Sequence, residues 1–260
     1  MSGKLRKPPV FYTTAQIRFN LIPEMAELIN KFQRAWRLAY PDFSNDTISQ
    51  FQLQLPGPGQ APKLNNISSF RWHFKNTART AGYVLTNETI TYHTTDYNTS
   101  EHFFSALLSG LRTLHDIVTL SYVETVAMRT LDAIIPDDNH DLSFFVSERL
   151  LGLYGQISGE IKQSMLELIM NRSNEQITSR AVILKGRVGI SADLAPLSLV
   201  LKEEIRQLNG IHLVLDNDCA YNERFSYDIA LIGERLVKVK QTIKEAFERA
   251  VTPAAFEHWR

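Results

Sequence analysis

VFYTTAQIRF, residues 10–19, is the stretch from which the fold is read. Phe11, Thr13, Ala15, Ile17 and Phe19 stand at every second position, the period of a strand with one face buried. Pro23 then opens a segment in which Met25, Leu28, Ile29, Phe32, Trp36 and Ala39 recur at helical spacing. Tyr40-Pro41 ends it, because a residue before proline is pushed out of the helical region. Further on, SQFQLQL (49–55) alternates Gln50, Gln52 and Gln54 with Phe51, Leu53 and Leu55, a strand with one wet face. PGPGQAP (56–62) continues neither helix nor ladder. SFRWHFK (69–75) alternates again, with Phe70, Trp72 and Phe74 expected inward and Arg71, His73 and Lys75 outward. Strands near 81–86 and 89–95 form a hairpin at Asn87-Glu88, and Thr99 or Ser100 caps a long amphipathic helix over 99–118.

A second pass of similar order follows. Residues 121–135 read as a strand and 141–154 as a helix with Leu142, Phe145, Val146, Leu150 and Leu153 inward. Strands near 160–170 and 178–188 flank NRSNEQ (171–176), and a short helix around 196–208 precedes the strand IHLVLD (211–216). A last long helix covers about 228–250, and Thr252-Pro253 restarts a final turn ending in Phe256 and Trp259. This order predicts an α+β fold of two tandem halves, 1–120 and 121–260. Each half is an antiparallel sheet with helices on one face, and the whole is compact enough for a single domain.

The chain has 260 residues, with 28 Lys plus Arg against 28 Asp plus Glu, so no net field draws it to nucleic acid or anionic lipid. One cysteine excludes an intramolecular disulfide and every multi-cysteine zinc site, and it fits a reducing cytoplasm. No apolar run approaches the roughly 20 residues of a membrane helix, and the opening residues lack a secretory apolar segment. The expectation is a soluble, cytoplasmic protein with no membrane partner.

The chemistry-bearing residues are few. In VLDNDCAY (214–221), Asp216 and Asp218 share one face of a strand and could hold Mg²⁺ or Mn²⁺, with Glu223 as a third carboxylate. The plainer reading is a strand emerging into a polar loop, and it is preferred. Cys219 has no cationic neighbour in sequence and reads as a small packed residue. The seven histidines show no metal-ligand spacing; His115-Asp116 reads as a helix-end pair, and His73 and His93 fall on strands of one sheet. Serine-nucleophile, Walker A and dinucleotide signatures are absent. Arg71, His73 and Lys75, with Arg79, Lys31, Arg34 and Arg37, are the candidate nucleic-acid contacts, beside aromatics that could grip a single strand.

IKEAFERAVTPAAFEHW (243–259), YTTAQIRFN (12–20) and LVLDNDCAY (213–221) together resemble a sporadically distributed, uncharacterised bacterial protein family. Its members are similar in length and end in an AFE-x-x-VTP or VTD phrase and a late tryptophan. The likeness extends over most of the chain. The family's central strand, G-L-R-Y-x-N-R-I, is matched by AMRTLDAI (127–134) at Arg129 and Ile134, while Thr130, Asp132 and Ala133 depart from it. The resemblance implies a mobile accessory system such as phage defence or toxin–antitoxin, and no chemistry.

The functional expectation is a non-enzymatic binding component without a cofactor, joined to a protein partner or to itself. Tyr221, Phe225, Tyr227, Phe256 and Trp259 are its candidate interface anchors. Two alternatives stand beside it: a Mg²⁺- or Mn²⁺-dependent nuclease or phosphotransfer enzyme using Asp216, Asp218 and Glu223, and an RNA or single-strand binder using Arg71, His73 and Lys75.

Overall fold

A computed structural model describes residues 5–54, 63–188, 190, 194 and 199–260, without the side chains of 48–54 and 63–69. Its centre is the antiparallel ladder of β1 (Val10–Phe19) with β6 (Tyr122–Ile134), from Val10↔Asp132 to Phe19↔Val123. On one side of this ladder lie β5 (Thr89–Thr94), β4 (Ala81–Leu85), β3 (Lys63–Lys75) and β2 (Asp42–Gln54). On the other lie β9 (Ile211–Ser226), β8 (Glu175–Lys185) and β7 (Gln163–Arg172). The result is one nine-stranded antiparallel sheet of order β2-β3-β4-β5-β1-β6-β9-β8-β7, where the sequence suggested a sheet in each half.

Three long helices line one face: α1 (Met25–Trp36), α2 (Ser100–Val118) and α5 (Ile229–Ala250). Each starts where the sequence placed it. The Thr99 hydroxyl accepts from the His102 amide at 3.2 Å, and Asp228 accepts from the amides of Ala230 and Leu231. Their apolar stripes, including Phe32, Leu107, Leu111, Leu236 and Val239, close the main core against Ile17, Phe74, Leu85 and Met128. Tyr83 anchors the layer: its ring stacks on Trp36 at 4.6 Å between centroids, and its hydroxyl donates to the Ala106 carbonyl at 2.6 Å.

A second cluster joins α3 (Leu142–Phe145) and α6 (Pro253–Trp259) to the ends of β6, β8 and β9. A third covers the opposite face of the sheet. There Phe11, Tyr12, Leu131 and Val214 meet Leu199, Leu201 and Ile205, the last on α4 (Glu203–Arg206).

Several local expectations change for physical reasons. A register shift between Val10 and Tyr12 lets both Phe11 and Tyr12 join the back-face cluster, so the strict alternation of β1 holds only from Tyr12 onward. The helix expected over 141–154 stops at Phe145, because Val146 leaves the helix to bridge Val251; a single 3₁₀ turn, Glu148–Leu150, follows, and Leu153 is exposed. Phe70 is exposed while Trp72 and Phe74 are buried. The loop 56–62 lies outside the described residues, as do 196–198 of the expected helix 196–208, and the Gln/apolar alternation of 49–55 falls on undescribed side chains. Among the described residues, no helix is long and apolar enough to cross a membrane.

The helix layer is close-packed enough to be tested at Gly110. A Cβ there would overlap the Tyr83 ring, which is held by Trp36 and Ala106 and cannot retreat. Gly110→Ala is expected to lower unfolding free energy by about 1–3 kcal/mol in spite of its better helix propensity, measured by urea denaturation.

Candidate functional site

On the back face of the sheet, charge runs across four strands. Arg129 of β6 donates from Nε and Nη2 to the two Asp216 carboxylate oxygens of β9, each at 2.6 Å. Both side chains are buried. The Asp216 Oδ2 lies 3.5 Å from Nη1 of Arg180 on β8, whose Nε donates to Glu167 on β7 at 2.5 Å. Neighbouring strands place these residues side by side because Leu131↔Asp216↔Arg180 and Arg180↔Glu167 are ladder partners. Asp218 stands across from Arg129 in one ladder and from Thr178 in the next.

The aspartate pair therefore shares a face, as its spacing requires, but Asp216 is held by arginine. Glu223 works elsewhere: it accepts from the Tyr221 hydroxyl at 2.8 Å and lies 3.5 Å from Arg235 of α5. Among the described residues, one trio of potential metal ligands closes to within 4.8 Å, and it is Asp137, His140 and His258 rather than Asp216, Asp218 and Glu223. Cys219 is fully buried, and that burial pushes its thiol up to about 12, with Glu175 and Asp218 adding to the shift.

Asp132, on the other side of β6, is buried, and among the described residues no cation forms an ion pair with it. Desolvation pushes its pKa up to about 7; the Thr130 hydroxyl pulls against this and the charge of Asp216 adds to it.

The basic residues of β3 and of the turn after it are ion-paired to β2. Arg71 makes a two-pronged contact with Asp46 of β2 at 2.8 and 2.7 Å, Lys75 and Arg79 reach Asp42, and His73 Nε2 lies 3.3 Å from Asp46. His73 and Lys75 are buried. Desolvation holds the His73 pKa below the ordinary value, against the pull of Asp46. Burial likewise takes His93, two strands away on the same face, down to about 3, and its Nδ1 lies 3.0 Å from the Tyr12 hydroxyl. Lys31, Arg34 and Arg37 lie on the exposed side of α1. His115 ends α2 as the sequence suggested: its Nδ1 accepts from the Leu120 amide, and its ring stacks on Tyr227 at 3.9 Å.

The aromatic anchors are interior. Tyr221, Phe256 and Trp259 are buried, and Phe225 and Tyr227 are half-buried against the main core. Arg235 and Lys238 lie over the Tyr221 ring at 4.4 and 4.8 Å. The exposed apolar surface is at the sheet's end instead. Along β7, Met165, Leu166, Leu168, Ile169 and Met170 are all exposed, with Leu168 at 53%. Among the described residues β7 pairs only with β8, so its other edge carries backbone donors and acceptors that no described strand meets. The sequence signal for this was the run MLELIM (165–170), in which one charge interrupts five apolar residues on both faces.

Against protein-family models, curated proteins and solved structures, the chain finds no match.

Two outcomes test the buried charges. Asp216→Ala takes the two-pronged carboxylate from the buried Arg129 guanidinium, so a loss of about 3–5 kcal/mol is expected in urea melts, while the double change Arg129→Met with Asp216→Leu recovers most of it. For Asp132, the folded pKa of about 7 lies above the ordinary 3.8, so between those values the folded state holds a proton that the unfolded state releases. Stability from this group is full below pH 4, falls as pH rises and is lost by about 7. Asp132→Asn is therefore expected to gain on the parent protein across that window, by no more than about 4 kcal/mol at pH 8, read as a widening difference between thermal melts.

Proposed function

We propose that this protein is a binding component that works by strand addition at the free edge of β7, and that its occupant there is a second copy of the chain. The carrying observation is the self-complementarity of the exposed edge QSMLELIMNR. Two β7 strands running antiparallel are related by a two-fold axis perpendicular to the sheet, which keeps the helix-covered faces on the same side. Residues of equal parity then face each other. With the axis at Leu168, Leu168 meets Leu168, Leu166 meets Met170 and Ser164 meets Arg172, while Glu167 meets Ile169 on the back face. With the axis at Glu167, two carboxylates would oppose, which disfavours that register. The first register completes both the ladder and the apolar stripe that no helix covers.

The reading includes two tandem halves, supported by strand order: residues 1–120 supply the contiguous β2-β3-β4-β5-β1 and residues 121–260 the contiguous β6-β9-β8-β7. The cytoplasmic setting is supported by the single cysteine, and a role in a bacterial accessory system by the family resemblance.

Light scattering on the purified chain is expected to give twice 29.7 kDa at micromolar concentration. Leu168→Lys sets two ammonium groups face to face across the axis and is expected to give a monomer. Because Leu168 is exposed, the variant should melt within a few degrees of the parent. A parent protein that stays monomeric at 100 µM, a dimer unmoved by Leu168→Lys, or an open-ended ladder of species from pairing β7 with β2 each sinks the proposal.

A further inference from the structure

We infer that Asp137, His140 and His258 form a binding site for a zinc-type divalent ion, holding the loop after β6 to the final helix. Asp137 Oδ2 lies 3.2 Å from His140 Nδ1 and 3.4 Å from His258 Nε2. The three ligand atoms all fall within 4.8 Å of one another. In a tetrahedral site with metal–ligand distances of about 2.0–2.1 Å, ligand atoms sit about 3.4 Å apart. Two of the three separations are already at or inside that value, so the ion needs side-chain adjustment only.

The ligands are positioned by more than their own contacts. Asp137 is fixed by its loop: its Oδ1 accepts from the Asn139 amide at 2.9 Å, and its backbone amide donates to the His140 carbonyl at 3.1 Å. The His140 ring lies 3.8 Å from the Phe144 ring centroid, and the His258 ring meets Phe145 edge-on at 5.3 Å. Phe145 in turn stacks on Trp259, beside His258 in sequence. This aromatic clamp holds both imidazoles with their nitrogens towards one carboxylate, the preorganisation a metal site requires.

The donor set selects the ion. Two neutral imidazoles and one carboxylate suit Zn²⁺, Co²⁺ or Ni²⁺ and are poor for Mg²⁺ or Ca²⁺, which take oxygen. All three side chains are partly exposed, so the fourth position is open to water. The site ties residues 118 positions apart (258 − 140) and closes the second core cluster, to which the buried Phe256 and Trp259 of α6 belong.

The test uses the full chain without an affinity tag, stripped with EDTA and dialysed. Titration with Co²⁺ is expected to give visible d–d bands of tetrahedral intensity, saturating at one equivalent and displaced by Zn²⁺. Zn²⁺ should also raise the melting temperature. His258→Ala should weaken binding at least tenfold and abolish the thermal shift, read against that variant's own metal-free melting temperature. His102→Ala, on an exposed histidine of α2, should change neither. No visible bands at tenfold excess Co²⁺, or equal affinity in the parent and His258→Ala, overturns the site and leaves Asp137 as a hydrogen-bonding partner of two histidines.

Discussion

The structure depends on the β1–β6 ladder, because it forces two groups of strands into a single sheet that must then be covered. Nine strands at about 4.8 Å spacing span roughly 38 Å, whereas three helices of about 10 Å diameter cover roughly 30 Å. The deficit has to fall at an edge. The main core accordingly runs from Trp72 and Phe74 of β3 to Cys219 and Tyr221 of β9, and β7 is left bare. Exposure of Leu166, Leu168 and Met170 thus follows from width, and no feature of β7 alone would explain it.

The back face is covered over its middle, and this explains the chemistry of its charged residues. A polar group that loses water must find a partner or lose its charge. Arg129 and Asp216 find each other, Arg71 finds Asp46, and His73 and His93 are driven toward the neutral form. Asp132, on the opposite face of β6, follows the same rule: burial drives it toward protonation. A charge network of this kind fixes strand register, since slipping β9 by one residue against β6 would move Asp216 to the helix face, away from Arg129.

How far the sequence could be read follows from the range of each interaction. Helical stripes, the Thr99, Asp228 and Thr252 caps, and the strand periods are local, and α1, α2, α5 and most strands lie where those patterns put them. The inward or outward sense of a strand's second face is not local. Arg71, His73 and Lys75 alternate as a solvated face would, yet they sit under cover with Asp42 and Asp46 supplied by the next strand. The helix expected over 141–154 had the right apolar spacing and lost to a tertiary bridge, Val146 with Val251. The Asp216–Asp218 spacing correctly signalled a shared face and carried no information that Arg129, 87 positions earlier, would occupy it. His140 and His258 were invisible as a pair because no local spacing links them.

The edge at β7 gains meaning from what it lacks. Natural sheets blunt exposed edges with lysine, proline, bulges or short strands. β7 is ten residues long, has no lysine or proline and pairs with β8 in unbroken register from Gln163↔Leu184 to Arg172↔Glu175. Its one central charge, Glu167, is engaged by Arg180 and points along the back face, so it does not guard the open backbone groups. Arg180 is itself tied to Asp216, so one charge network spans β9, β8 and β7. With unbroken register and apolar side chains on both faces, the edge is of the kind that pairs with a further strand.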